Sequence, residues 1–316
     1  MMEQPLIYVA MDNAKVIINL LKAVHFRDLA TMFATNNGIK VTVEDSKCIQ
    51  GNAFLHSALF REYSVRKDIV SFRTNLGILI DCLSIFGTSV QGSPVSLIMS
   101  YKIHGSTVDL LLEENAVVAE CSIKTMEAFE ILDFDFSSSN IADKFIMKSD
   151  CMREAFNELD TSSEILEVAI IPPPAIQPRL RLTTYGFAGT MHFDLPRSSD
   201  QVEVFESSTA SPRIARFRLS LLRPATNRAL SMASRISLRI NDRGFLSIQY
   251  MINVSDNEVA FVEFFCVPDV DETEDQSESQ TSMNTEQYEA TKSNRTAQIP
   301  STSRCPVNTL DPDWSD

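Results

Sequence analysis

The 316-residue chain lacks any apolar run approaching the roughly 18 residues that a membrane-spanning helix needs. Its first residues, Met-Met-Glu-Gln-Pro, lack the basic and apolar regions of a signal peptide. Its six cysteines lie far apart with no C-x-x-C pair, which favours reduced, mostly buried thiols over disulfides or a zinc site. We therefore predict an intracellular protein with no membrane contact.

Signatures of catalysis are also missing. The four histidines are isolated, no serine lies in a G-x-S-x-G elbow, and no glycine-rich loop is suited to cradle a phosphate. These absences argue against a hydrolase triad and against a nucleotide site, so no cofactor is expected.

Charge is distributed unevenly. The net charge is −14, but residues 269–316 hold 11 Asp and Glu against 3 Lys and Arg, which leaves −6 on residues 1–268. The composition of 269–316 predicts a disordered acidic tail, in which Trp314 of Asp-Pro-Asp-Trp-Ser-Asp is a candidate anchor for a partner. An acidic total does not exclude nucleic-acid binding, because phosphates respond to where Lys and Arg lie rather than to their sum.

The clearest local pattern is a hairpin. Alternating apolar residues between Thr31 and Val43 flank Asn36-Asn37-Gly38, which supplies the positive φ of a tight turn. Just before it, apolar residues from Ile17 to Val24 recur at helical spacing behind Asp12, a plausible N-cap. The unit therefore reads as a helix followed by antiparallel strands.

This unit recurs along the chain. Helices are predicted over Asp12–Val24, from Asn75 to Gly87 and around Met152–Leu159. A fourth follows Phe217–Leu219, with Leu222, Ala225, Ala229 and Met232 as its apolar stripe and Pro224 in its first turn. A strand meander follows each helix. The pattern predicts an α+β protein with similar halves at 1–130 and 141–268, joined by a connector at 131–140. The strands predicted with bounds are Val95–Tyr101, Thr107–Glu113, Ala116–Ile123, Lys144–Met147, Ile165–Ile171, Arg179–Thr184, Thr190–Leu195, Ile236–Ile240, Phe245–Ile252 and Glu258–Val267.

Two helices on the same side of each half would point their polar faces in one direction. The cations on these faces are Lys15, Lys22, Arg153, Arg223 and Arg228, with Arg235 just beyond the fourth helix. The second helix offers only Gly77, Asp81 and Ser84. The ordinary alternative is that any soluble helix carries Lys and Arg on its solvated side.

Several long segments resemble one known family, the "one" subunits of the heterotrimeric "nine-one-one" DNA-damage checkpoint clamp, relatives of the PCNA sliding clamp. The resemblance extends over residues 6–269 and not over the tail. The segments that carry it are FRDLATMFATNNGIKVTVEDSKCIQGNAFL, FRTNLGILIDCLSIFG, LDFDFSSSNI, REAFNELDTSSEIL, NDRGFLSIQYMI and FVEFFCVPD.

The resemblance implies two domains per subunit and two other clamp subunits that close a ring, with helices lining a hole for double-stranded DNA. It further implies a nuclear protein, an ATP-dependent clamp loader, and a platform for checkpoint signalling and repair client proteins. Lys15, Lys22, Arg153, Arg223 and Arg228 match lining positions, where such contacts hold phosphates without reading bases. Asp81 departs from the lysine of PCNA relatives, which weakens the positive field expected from this subunit.

The resemblance also implies surfaces for protein partners. Thr107–Glu113, with Asp109 and Leu111, and Thr190–Leu195, with Met191 and Phe193, match edge strands that join neighbouring subunits. The ordinary alternative is that both are plain edge strands whose charged residues prevent pairing with another chain. A client pocket is implied at Phe54, Leu132, Phe134, Met251 and Phe261, whose ordinary alternative is a place in the core.

An enzyme remains the second hypothesis. Some members of this family are described as 3′ to 5′ exonucleases, and a two-metal nuclease needs several converging carboxylates. The candidates are Asp133 with Asp135, or Glu113 with Glu114. No further carboxylate is placed with either pair by the sequence, so a solvated acidic loop is the ordinary alternative.

Overall fold

The computed structural model describes residues 4–87, 93–134, 136, 139–255 and 258–269. Within these ranges the four predicted helices are confirmed, each with bounds slightly different from those expected. They are α1 (Lys15–Ala23), α2 (Leu76–Leu83), α3 (Ser149–Glu158) and α4 (Leu219–Met232).

Nineteen strands make up most of the described chain. They are β1 (Ile7–Met11), β2 (Leu29–Thr35), β3 (Gly38–Asp45), β4 (Ile49–His56), β5 (Glu62–Val65), β6 (Val70–Asn75), β7 (Ser96–Tyr101), β8 (Val108–Glu114), β9 (Val117–Ile123), β10 (Thr125–Met126), β11 (Ile141–Lys148), β12 (Ile165–Ile171), β13 (Arg179–Gly186), β14 (Gly189–Pro196), β15 (Val202–Ser207), β16 (Arg213–Arg218), β17 (Ala233–Asn241), β18 (Leu246–Ser255) and β19 (Glu258–Cys266).

The strands form three antiparallel sheets. One has five strands in the order β5-β1-β7-β8-β9, and another has four in the order β14-β13-β12-β16. The third has ten strands, β10-β6-β2-β3-β4-β19-β18-β17-β11-β15. With four helices against largely antiparallel sheets, the protein has the predicted α+β clamp fold.

The ten-stranded sheet contains strands from both halves of the sequence. Its seam is the antiparallel pair β4 and β19, whose register runs from Ala53 opposite Val262 to Ile49 opposite Cys266. Gly51 lies opposite Phe264 at the middle of this seam. The backbone hydrogen bonds of one sheet therefore continue from the first half into the second.

All four helices pack against the ten-stranded sheet and touch one another in the order α2-α1-α4-α3. Because neighbouring helices in this row are in contact, they lie on the same face of the sheet. Each directs its apolar stripe inward, for example Leu20 and Leu21 of α1 and Leu222 of α4, all at most 1% exposed. This arrangement agrees with the predicted common direction of the helical polar faces.

The expected place of Pro224 in the first turn of the fourth helix is wrong. The helix begins at Leu219, so Pro224 is its sixth residue and lies beyond the first turn. A proline there has no N–H to donate to the carbonyl of Ser220, and the helix continues because its buried apolar residues hold it against the sheets.

The prediction that Thr107–Glu113 is an edge strand is also wrong. β8, which carries Asp109 and Leu111, is hydrogen-bonded on both sides, by β7 and by β9. The edge strand on this side of the five-stranded sheet is β9, whose Val117 and Val118 are 59% and 53% exposed. The other predicted edge, β14 with Met191 and Phe193, does lie at the end of its sheet.

The chain divides into one compact unit at 1–268 and a second at 269–316. The predicted boundary between clamp halves near residues 131–140 stays a prediction, as does the acidic tail, which beyond Asp269 lies outside the described residues. Asp135 of the connector also lies outside them.

The close packing at the seam predicts that a side chain added at Gly51 destabilises the fold. A Cβ at residue 51 would come within 2.8 Å of the rings of both Phe26 and Phe264, and Phe264 is fully buried. We expect Gly51→Ala to lower the free energy of unfolding by about 1–3 kcal/mol, because the packed rings must shift. Urea unfolding followed by circular dichroism measures this change.

The matched control is Gly77→Ala on α2, where the nearest approach is 3.3 Å to Asn75 and alanine is the better helix former. We expect no loss of stability there. Equal stability of the Gly51 variant and the wild type would contradict the packing described at the seam.

Candidate functional site

The exposed side of α1 carries two of the predicted cations. Lys15 and Lys22 are half-exposed and two turns apart, while Ile17 and Leu20 between them are buried. They therefore occupy the flank of the helix that faces away from the core. Arg223 on the neighbouring α4 is also half-exposed.

Arg228 links α4 to the end of α1. It is exposed, and its guanidinium donates to the carbonyl oxygen of His25 (2.9 Å) and contacts His25 Nδ1 (2.9 Å). Burial, reinforced by the charge of Arg228, lowers the pKa of His25. The neutral imidazole accepts the hydrogen bond, so this contact ties the two halves together while leaving the arginine at the surface.

Arg153 differs from the other cations because side chains of its own helix, α3, pair with its guanidinium. Its guanidinium contacts Asp150 Oδ1 (2.9 Å) and Ser149 Oγ (2.8 Å). Asp150, Glu154 and Glu158 are exposed at intervals of four along α3, so the outward face of this helix is mainly acidic.

The structure thus brings together only part of the predicted basic set. Lys15, Lys22, Arg223 and Arg228 lie on two helices in contact, whereas α3 lies beyond α4 and α2 presents Asp81 to solvent. The positive field is therefore expected to be strongest over α1 and α4.

The connector crosses the opposite face of the ten-stranded sheet. The backbone N–H of Leu132 donates to Glu44 Oε1 (2.9 Å), and Gln50 Nε2 donates to the carbonyl of Leu132 (2.8 Å). Phe134 is buried and stacks on Phe265, with ring centroids 5.5 Å apart. These contacts hold the connector on β3, β4 and β19.

The remaining residues of the predicted pocket lie on three adjacent strands. Met251 of β18 is opposite Phe261 of β19, and Phe54 of β4 lies one residue from the register pair Ala53–Val262. All three side chains are half-buried, whereas their immediate neighbours along each strand are buried on the helix side. They form a partly exposed apolar surface on the outer face.

Cations border this surface on both sides. Lys40 of β3 is opposite Phe54, and Arg235 of β17 is opposite Met251. Cross-strand partners point to the same face of a sheet, so the five side chains form a continuous row. We call Lys40, Phe54, Phe261, Met251 and Arg235 the outer strip.

Sequence reasoning missed the aromatic residues that contact Phe134, namely Phe265 and Phe245. Phe265 lies four residues after Phe261 on the same strand. Because side chains at even spacing on a strand point to the same face, this spacing was the available sequence signal. It also missed the buried charge near the connector, where Arg239 pairs with Glu263 at 2.6 Å. That pair has no local sequence signal, because its members lie on different strands.

Charged side chains protect the edge strand β14 only partly from pairing with another chain. Asp194 accepts two hydrogen bonds from Arg181 (2.6 and 2.8 Å), which hold the pKa of Asp194 below its usual range. Met191 and Phe193 remain half-buried. With β9, this strand offers backbone groups that a neighbouring chain can pair with.

The acidic pairs do not form a metal cluster within the described residues, where no group of three or more His, Cys, Asp or Glu is suited to hold an ion. Asp133 and Glu113 are exposed and Glu114 is half-exposed. The structure does not bring Asp133 together with further metal-ligand carboxylates, and Asp135 is outside its description.

Five cysteines have free thiols, of which Cys151 and Cys266 are buried, while Cys305 lies outside the described residues. Burial, together with the neighbouring thiol of Cys121, raises the pKa of Cys82 to about 11. No helix in the described part of the chain has the length and apolarity to span a bilayer.

Comparison with known proteins gives consistent matches. The family model described as "Repair protein Rad1/Rec1/Rad17" matches residues 7–252. The chain is 46% identical to the human protein named "Cell cycle checkpoint protein RAD1", over 85% of this chain and 93% of that protein. It is 30% identical to the Schizosaccharomyces pombe "DNA damage checkpoint control protein rad1", over 80% of this chain and 84% of the relative.

A more distant match is the Mycosarcoma maydis protein named "DNA repair exonuclease REC1", at 26% identity over 58% of this chain and 49% of that protein. The family model covers most of the described chain, and its relatives are named for the cell-cycle and DNA-damage checkpoints. The chain therefore belongs to the Rad1 family of checkpoint and repair proteins.

Proposed function

We propose that this chain is one subunit of a heterotrimeric ring clamp that a separate ATP-dependent loader places around DNA at sites of damage. There it serves in the nucleus as a platform for checkpoint and repair proteins. The single observation that carries the proposal is the row of four helices on one face of a sheet that spans both halves. The names of the human and fission-yeast relatives, which refer to checkpoint control, support the nuclear role.

Ring closure would use the edge strands. β9 is one terminal strand of the five-stranded sheet and β14 is one terminal strand of the four-stranded sheet, so these two edges would each pair with a different neighbour. Val117 and Val118 on β9, and Met191 and Phe193 on β14, would add apolar contacts to the backbone pairing.

DNA contact would use α1 and α4. Their cations would bind phosphates without reading bases, giving weak, salt-sensitive contacts that allow sliding. Arg153 would contribute less than expected, because Asp150 already neutralises it and the rest of α3 is acidic. The outer strip would bind client proteins.

Assembly provides the first test. We expect the chain, co-expressed with the two other clamp subunits of its own organism, to give a complex whose native mass corresponds to one copy of each. Native mass spectrometry measures this stoichiometry. A mass that remains that of one polypeptide in the presence of both companions would overturn the proposal.

The DNA-facing role predicts an effect of charge. In the assembled ring, Lys15→Glu with Lys22→Glu is expected to shorten retention on circular duplex DNA. It should also reduce the log–log salt slope by about 2, because each phosphate contact contributes about 0.9. Retention is measured by surface plasmon resonance over a salt titration.

Lys47→Glu with Lys67→Glu is the matched control, since both lysines are exposed in turns and the change in net charge is the same. Equal losses in the two double variants would show only a bulk charge effect and would remove the proposed role of α1.

A nuclease is the second candidate because one relative is named an exonuclease. It predicts that the purified chain with Mg²⁺ or Mn²⁺ shortens 3′ ends, and that Asp133→Asn with Asp135→Asn stops the reaction. Gel electrophoresis of an end-labelled duplex measures it. Residual activity in the double variant would point to a contaminating enzyme and exclude these carboxylates.

A further inference from the structure

We infer that Cys82 and Cys121 form a modification site, at which hydrogen peroxide converts two neighbouring thiols into a disulfide between α2 and β9. Thiol reductants would reverse the reaction. The resting state is the pair of free thiols seen in the structure. The inference goes beyond the proposed ring function and does not rest on it, because both cysteines belong to the same chain.

The fold brings the two cysteines together from distant positions in the sequence. Cys121 of β9 is the register partner of Leu110 on β8, which is 2% exposed, so both side chains point to the core side of the five-stranded sheet. α2 packs against β8 and β9, and Cys82 lies in its last turn. The Cys82 S–H donates a hydrogen bond to Cys121 Sγ. The two sulfur atoms are therefore in contact before any reaction.

A small oxidant can reach both thiols. Cys82 and Cys121 are half-buried at the margin of the hydrophobic core. Cys151 and Cys266, in contrast, are buried, and their thiols donate to backbone carbonyls. Oxidation by peroxide requires an accessible sulfur, and a second thiol beside it captures the first product. The pair thus has the arrangement of an attacking and a resolving cysteine.

The two cysteines have different roles in the reaction. Burial and the hydrogen bond to Cys121 raise the pKa of Cys82 to about 11, so Cys82 keeps its proton while Cys121 attacks. The Cys121 thiolate displaces hydroxide from hydrogen peroxide and becomes a sulfenic acid. The Cys82 sulfur then displaces the sulfenic hydroxyl group, which leaves as water with the Cys82 proton. In total, two thiols lose two electrons and two protons, and one peroxide gives two water molecules.

The disulfide would fix one edge of the five-stranded sheet. β9 is a terminal strand of this sheet, and β8 is its neighbour there. A covalent link from β9 to α2 closes a loop of about 40 residues, which removes conformations from the unfolded chain. We therefore expect the oxidised protein to unfold at a Tm about 5–10 °C higher than the reduced protein.

Peptide mapping of the full-length chain by mass spectrometry tests the link. Trypsin releases Cys82 within residues 74–102 and Cys121 within residues 103–124, and neither peptide contains another cysteine. After brief treatment with hydrogen peroxide, remaining thiols are blocked with N-ethylmaleimide. We expect the two peptides to appear joined by a disulfide, and dithiothreitol to separate them.

Substitutions test the consequence of the link and the order of the steps. Peroxide should raise the Tm of the wild type but not that of Cys82→Ser, in which dimedone should label Cys121 as a sulfenic acid. In Cys121→Ser, labelling of Cys82 should be about tenfold weaker, because Cys82 holds its proton. Cys48→Ser removes another half-buried thiol, and this matched control should respond to peroxide as the wild type does.

Separate N-ethylmaleimide adducts on both cysteines after peroxide treatment would overturn the inference. So would a link found only between two chains on a non-reducing gel. A linked wild type without a higher Tm would refute the effect on the sheet edge, and equal dimedone labelling in the two variants would refute the order of the steps. Mapping needs no substitution and uses the isolated chain, so its result depends neither on the folding of a variant nor on ring assembly.

Discussion

The antiparallel pairing of β4 with β19 is the interaction on which the rest of the structure depends. Five register pairs, from Ala53–Val262 to Ile49–Cys266, join the halves into one sheet. The two backbones approach closely enough at Gly51 that the rings of Phe26 and Phe264 occupy the space of a side chain. Without this pairing, α1 and α4 would belong to separate bodies, and the contact between Arg228 and His25 would not form.

The seam also separates two surfaces of different chemistry. Successive residues of β4 and β19 alternate between the helix side, which is apolar and closed, and the outer side. On the outer side, Glu263 is 5% exposed and is compensated by Arg239, while Gln50 and Glu44 hold the connector. The helical surface proposed to face phosphates and the outer strip proposed to bind client proteins thus lie on opposite sides of one sheet.

The helical face has a mixed charge, and this bears on mechanism. Cations on α1 and α4 lie between the exposed Asp81 on one side and the acids of α3 on the other. Under the proposed function, such a surface would hold a duplex locally and weakly, which would suit a clamp that moves along DNA. It also explains why the net charge of the chain was a poor guide to the function proposed for it.

The sequence alone determined the type of nearly every element, because hydrophobic periodicity is a local property: the Asn36-Asn37-Gly38 turn and the buried stripe of α1 needed no knowledge of the rest of the chain. Family resemblance identified Phe54, Met251 and Phe261 of the outer strip, and the alternation of β4, β18 and β19 places all three on one face, but the neighbouring Lys40 and Arg235 emerged only from the strand register. Only the tertiary structure decided that β9 rather than β8 is an edge, that Phe134 stacks on Phe265, and that Arg153 is neutralised on its own helix. Each of these depends on which strands pair or where side chains finally lie, and strand pairing joins segments far apart in sequence whose register no local pattern specifies.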